Sequence, residues 1–147
     1  MTSQGTAYLI LKDGEELFGL PLDLVESVIP YREPEAVPYQ KGAKLGALQN
    51  RGKFMGVLNL ATLLGVEGAS GEGRSVIAVA LVDDAYLGIA VAATLGIARP
   101  GELGEDVEAL GRTEAPCVER SVRWGERVVH LLDFVLLTEL FWDNLLS

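Results

Sequence analysis

The sequence predicts a mostly β chain folded as two similar small barrels, with short helical turns and a C-terminal helix. Three observations carry this. Apolar residues come in short runs that lack a helical period and are separated by turn residues. Seventeen glycines in 147 residues exceed the usual share of about 7%, and glycine turns between apolar runs mean many short strands. The chain also repeats itself. Phe18 to Ile29 (FGLPLDLVESVI) lines up with Leu87 to Ala98 (LGIAVAATLGIA), and Gly56 to Leu63 (GVLNLATL) with His130 to Leu137 (HLLDFVLL). Each half thus carries a hairpin, a short turn, a second hairpin and a capped helix. Closing each sheet into a barrel manages its exposed edges.

The elements follow in order. Ala7 to Leu11 is a short apolar strand, Asp13-Gly14 a hairpin turn, and Glu16 to Leu20 the returning strand, with Pro21 at its end. Asp23 is the expected cap of a short turn through Leu24, Val25, Glu26 and Ser27. Val28 and Ile29 are expected to be buried. Pro30 to Lys44 holds three prolines and several charges and reads as a loop. Leu45 to Gly65 is a strand, an Arg51-Gly52 turn, a strand and one helical turn, with Asn59 as its N-cap and Gly65 as its C′ residue. Val66 to Arg74 has linker composition.

In the second half, Ser75 to Val82 and Tyr86 to Val91 form a hairpin about Asp83-Asp84. Ala92 to Ala98 reads as a short turn leading to a strand, and Arg99 to Gly111 as a solvated acidic loop. Cys117 to Val122 and Arg127 to Leu132 form a last hairpin about Trp124-Gly125. Asp133 is the expected N-cap of a helix running from Phe134 towards Leu145. Phe134, Leu137, Phe141 and Leu145 share one face of it, and most other positions are apolar, so it is buried on more than one side. It either wedges between the barrels or packs on the core of one. The expected organisation is a single domain over residues 1–147. Barrel one covers about residues 7–66, barrel two about residues 75–133, and the helix about residues 134–146.

Composition excludes several function classes. A formal net charge of −9 argues against nucleic acid, whose binding draws on Lys and Arg, and against a polybasic membrane anchor. A basic or mixed protein surface is the more natural partner. Cys117 stands alone, so no intrachain disulfide and no cysteine metal site can form. Met1 to Thr6 is polar and uncharged, unlike a secretory signal. Together these lead to the expectation of a reducing cytoplasm. The longest apolar run, Val76 to Val82, is far short of the ~20 residues of a membrane span.

Little in the chain suggests catalysis. His130, the single histidine, lies in an apolar strand with no partner at ligand spacing, and reads as a strand residue with its nitrogens satisfied. Cys117 could act as a nucleophile only with His130 beside it, and no third orienting group is evident. Asp83-Asp84 and the acidic residues Glu102, Glu105, Asp106 and Glu108 lack the spacing of a calcium loop. No phosphate-cradling glycine loop is present. The chain is therefore read as a non-enzyme without a cofactor or metal. The remaining constellation is Glu26 with Arg51, which barrel closure can bring together. Such a pair clamps two backbones with bidentate hydrogen bonds, holds a binding surface, or never meets at all.

At these residues the chain resembles the CheW family of bacterial chemosensory coupling proteins, over nearly its whole length. Phe18-Gly19-Leu20-Pro21-Leu22 and Leu24-Val25-Glu26 match the family's opening pattern. Pro38 and Gly46 match its proline before a Gly-aliphatic strand. Gly46, Arg51, Gly52, Phe54, Met55, Val57, Leu58 and Leu60 match its hallmark segment, and Leu131-Leu132-Asp133 its second-half ending. The departures are Gln49-Asn50 where Asn-Leu is usual, Gly56 for a proline and Asn59 for an aspartate. The resemblance implies two five-stranded, SH3-like barrels. It also implies a non-catalytic adaptor bridging the cytoplasmic tip of a chemoreceptor and the regulatory domain of a histidine kinase, in chemotaxis or twitching motility. The receptor's helical hairpin would dock in an apolar groove between barrels, and the kinase domain would pair barrel to barrel. By carry-over, Leu24, Glu26, Gly46, Arg51 and Gly52 would form or support the receptor-facing region. The alternative is a stand-alone β-barrel interaction module with a different partner.

Overall fold

A computed structural model describes residues 5–35, 44–59, 73–82, 84–107, 118–133, 135, 136 and 139. Eleven strands lie among the described residues. They are β1 (Tyr8–Asp13), β2 (Glu16–Pro21), β3 (Val25–Pro30), β4 (Lys44–Asn50), β5 (Lys53–Asn59), β6 (Val76–Val82), β7 (Ala85–Val91), β8 (Ala93–Ala98), β9 (Leu103–Asp106), β10 (Val118–Trp124) and β11 (Arg127–Leu132). Short 3-10 turns at Leu22–Leu24 and Pro100–Glu102 precede β3 and β9. The mostly β fold and its pseudo-repeat stand as the sequence predicted.

The division into sequential halves needs correcting. One sheet runs β8-β1-β2-β11-β10-β9 and the other β3-β6-β7-β5-β4. The first hairpin, β1–β2, therefore leaves the first half and joins the strands of the second. The β6–β7 hairpin joins the strands of the first. The exchange is reciprocal and keeps register. In the parallel pair β2·β11, Leu17, Phe18 and Gly19 face Val129, His130 and Leu131. In β7·β5, Tyr86, Leu87 and Gly88 face Met55, Gly56 and Val57. These are the positions that the sequence repeat equates. The register breaks recur too, at Glu26 where β3 meets β6 and at Leu95 where β8 meets β1.

Three apolar clusters explain why the strands read as unbroken apolar runs. Tyr8, Ile10, Leu17, Val129 and Leu131 fill the first sheet's barrel. Met55, Val57, Ile77, Val79 and Ala90 fill the second's. Leu9, Leu11, Phe18, Leu20, Leu58, Ala78, Ile89 and Leu132 form a third core shared by both. Successive residues of β1 and β6 point alternately into a barrel and into the shared core, so both strand faces are buried. The repeated glycine has a matching cause. A Cβ on Gly19 would lie 2.8 Å from Leu131 Cδ2, and one on Gly88 2.9 Å from Ile77 Cγ2.

Several local expectations change. Val25 to Ser27 is strand rather than turn, with Glu26 as the extra residue of a bulge. The turn lies earlier, at Leu22–Leu24, and Asp23 does not cap it, since Pro21 holds the cap position. Val28 is 41% exposed rather than buried, because β3 is an edge strand with alternating exposure. Leu103–Asp106 is strand β9 rather than loop. Asp133 does cap as expected, its Oδ1 accepting from Leu136 N at 3.2 Å, and Val135, Leu136 and Glu139 are helical. The rest of the predicted C-terminal helix, the helical turn after Asn59, most of the 66–74 linker and Cys117 lie outside the described residues.

Candidate functional site

The β4–β5 hairpin ends in a two-residue turn. Arg51 has φ +54° and Gly52 φ +79°, the pair of positive angles that suits the twist of a tight hairpin. Glycine takes such an angle freely. An L-residue there costs about 1–2 kcal/mol, so Arg51 is held at some expense by the strands on either side. Gly46, at the other end of β4, is bound by space as well. It has φ +145°, and a Cβ there would lie 2.2 Å from Glu35 O. That close approach lets Glu35 and Ala47 exchange two backbone hydrogen bonds, each of 2.9 Å.

Beside the turn lies a pocket of about 80 Å³, lined by Glu26, Asn50, Arg51, Lys53, Met55, Val79 and Tyr86. Met55 and Val79 are buried members of the barrel core, while Arg51 and Lys53 are exposed at the rim. Lys53 Nζ sits 5.3 Å above the Tyr86 ring, a cation–π distance. Pockets that hold a metabolite start near ~300 Å³, so this one is too small for such a ligand. Glu26 and Arg51 thus share a pocket, as the sequence suggested, but they do not clamp. Among the described residues no ion pair joins them, and Glu26 Oε1 instead accepts from Ser27 Oγ at 2.8 Å. Leu24 stands apart, half-buried at the end of its 3-10 turn and packed on the shared core. Gly52 is exposed with open space around it.

A second polar group was only half visible in the sequence. His130 is 3% exposed. Its Nε2 lies 2.9 Å from Glu16 Oε1 and its Nδ1 2.7 Å from Ser121 Oγ. A carboxylate only accepts, so in the neutral ring Nε2 carries the proton and Nδ1 accepts from the Ser121 hydroxyl. The order resembles an acyl-transfer triad, but Ser121 is itself 3% exposed, which closes its hydroxyl to substrate. The group is a strut joining β2, β11 and β10. The nitrogens are satisfied as expected. Their partners escaped because Glu16 is 114 residues away. Also missed were Lys53 and Tyr86, which the repeat alone could not pick out. Among the described residues no group of three His, Cys, Asp or Glu could hold a metal ion. No described helix is long and apolar enough to cross a membrane.

Comparison with known proteins gives a consistent result. The model of the CheW-like domain matches residues 7–140. Among solved structures, the scaffolding protein TtCheW from Thermoanaerobacter tengcongensis superposes with a TM-score of 0.73 at 18% identity, covering 87% of this chain and 84% of that one. At that identity the likeness concerns the fold. No curated protein matches.

Proposed function

We propose that this chain, which belongs to the CheW-like domain family, is a non-catalytic adaptor coupling chemoreceptors to a chemosensory histidine kinase. The family match over residues 7–140 carries this reading, and the similarity to a scaffolding protein's fold supports it. The output is chemotaxis or twitching motility, and the setting is the cytoplasm. Its partners are the regulatory domain of the kinase and the cytoplasmic tip of the receptor. Within the partner-facing region, Glu26 and Arg51 offer charge at the pocket. Gly46 and Gly52 support the hairpin that carries Arg51, and Leu24 anchors the approach to β3.

The test is co-precipitation with the regulatory domain of the cognate kinase and with a receptor-tip fragment. Both are expected to be retained. Retention of neither overturns the adaptor reading in favour of a β-barrel interaction module with another partner. Arg51→Glu is expected to weaken capture of the receptor tip without unfolding the chain. If folding and capture are both unchanged, Arg51 has no part in the contact.

A further inference from the structure

Arg74 stands just before β6, and its guanidinium is held without the partner its charge calls for. The β3·β6 ladder ends with Pro30 opposite Val76. Tyr31 N carries it one step further by donating to Ser75 O at 2.9 Å, which sets Tyr31 beside Arg74. The Tyr31 ring packs on the barrel core, and Arg74 Cζ lies 5.3 Å from its centroid, a cation–π distance. Arg74 Nη2 donates to the Tyr31 hydroxyl at 3.5 Å, longer than an ordinary N–H···O bond. Its Nε and Nη1 are buried, and among the described residues nothing accepts from either. A buried donor without an acceptor is destabilising, more so when it is charged. Arg120 shows the ordinary solution, its Nε donating to Asp106 Oδ1 at 3.0 Å. The fold does not require the Arg74–Tyr31 pair, since the matching positions of the other barrel are Gly5 and Pro100.

We infer that Arg74 and Tyr31 form a binding site for a small carboxylate. A guanidinium offers donors alone, so its ligand must accept. A water accepts but leaves the charge uncompensated away from solvent, whereas an anion offsets it. The site supplies one positive charge, so a monoanion leaves it neutral. A phosphate group carries about −1.5 to −2 and would leave a buried negative excess, which Glu33 and Glu35, exposed on the same segment as Tyr31, would oppose further. The planar carboxylate also matches the guanidinium fork. The Tyr31 hydroxyl accepts from Arg74, which leaves its own proton to donate to the ligand. Because the two nitrogens are closed to solvent, a carboxylate on the surface of a folded partner does not reach them. A free small acid does, once the guanidinium tilts from the ring. A Cβ on Gly73 would meet nothing within 4 Å, so there is room beside Arg74 for that movement. The site is independent of the adaptor reading.

The test is titration of the isotope-labelled full chain with sodium acetate, at an ionic strength held constant with chloride, reading the arginine Nε–H resonances. The Arg74 resonance is identified by its loss in Arg74→Met. It is expected to move and saturate with acetate, while that of the exposed Arg127 holds. Tyr31→Phe should weaken binding by about fivefold or more. Thermal unfolding supplies a second reading. Without acetate, Arg74→Met should melt no lower than the parent, because an apolar side chain replaces an unpaired buried charge. Acetate should raise the midpoint of the parent and leave that of Arg74→Met where it was. An Arg74 resonance that stays still, or one that moves no more than Arg127, overturns the site. Saturation by phosphate at lower concentration than by acetate overturns the carboxylate. An Arg74→Met variant that melts well below the parent shows a guanidinium already satisfied within the chain, and overturns the inference. Capture of the kinase domain and of the receptor tip is expected to be equal with and without acetate, so the adaptor reading and this one fail separately.

Discussion

The two barrels share a register and differ in what they place on it. At the parallel seam, one barrel has Glu16, His130 and Ser121 hydrogen-bonded in line. The other has Ala85, Gly56 and Ala47 at the matching positions. At the edge, β10 is covered by β9, with Trp124 opposite Leu103 and Arg120 Nε donating to Asp106 Oδ1 at 3.0 Å. The matching strand β4 has at that edge, among the described residues, a single bridge, Glu35 to Ala47. One barrel is thus tied across its seam and covered at its hairpin. Its twin has a bare seam and an open hairpin tip carrying Arg51, Lys53 and Phe54. The difference teaches where the fold ends and function begins, since a shared frame removes the packing requirements common to both.

The largest break in this comparison is expected at Gly46→Ala. A Cβ at 2.2 Å from Glu35 O, on a backbone at φ +145°, should cost about 2–4 kcal/mol, read as a lower urea midpoint. Its counterpart in the covered barrel, Arg120→Ala, loses a partly exposed ion pair and should cost no more than about 1 kcal/mol. Next comes His130→Ala. It leaves Glu16 and Ser121 without the ring between them and should cost about 2–3 kcal/mol. Ser121→Ala leaves one ring nitrogen unpaired and should cost about 1 kcal/mol.

Arg51→Gly separates stability from binding. It relieves the strained angle but adds freedom to the unfolded chain. Stability should stay within about 1 kcal/mol of the parent while receptor-tip capture falls.

The smallest effect concerns pH. Burial, followed by the charge of Glu119, raises the Tyr8 phenol above its ordinary 10.0, with Arg120 opposing. Above pH 10 the unfolded chain gives up this proton while the fold keeps it. The unfolded state then binds fewer protons, so stability is level below that pH and falls as pH rises towards the native value. Tyr8→Phe should flatten this alkaline slope. The matching residue of the other barrel, Ile77, has nothing to titrate.

Much of the frame was legible. The Asp13-Gly14 hairpin, the Phe18-Gly19 and Leu87-Gly88 repeat and the Arg51-Gly52 turn all follow from local chemistry. Which hairpin joins which sheet was not legible, because β2·β11 and β5·β7 pair across the length of the chain and a strand's pattern does not name its neighbour. β9 escaped because Gly104, Glu105 and Asp106 are exposed, and a strand with one apolar residue in four leaves no apolar alternation to read. Glu26 was placed in a turn because a bulge breaks the alternation that marks a strand. At the site, the charges of Glu26 and Arg51 were visible. The bare ring of Phe54, 73% exposed, was not, since an apolar residue in a strand reads as core until its face is known.

The exchange of hairpins has a consequence for concentration. Two separate chains trading their first hairpins in this way would form a swapped dimer that dissociates on dilution. Here the peptide between β5 and β6 holds both partners at an effective concentration in roughly the millimolar range. The pair therefore stays assembled however scarce the molecule is. Neither repeat can leave with its own barrel intact, because each barrel needs strands from the other. A cut between β5 and β6 is expected to yield two fragments that stay together at high concentration, as subunits rather than as released domains, and that separate in gel filtration as the load is diluted.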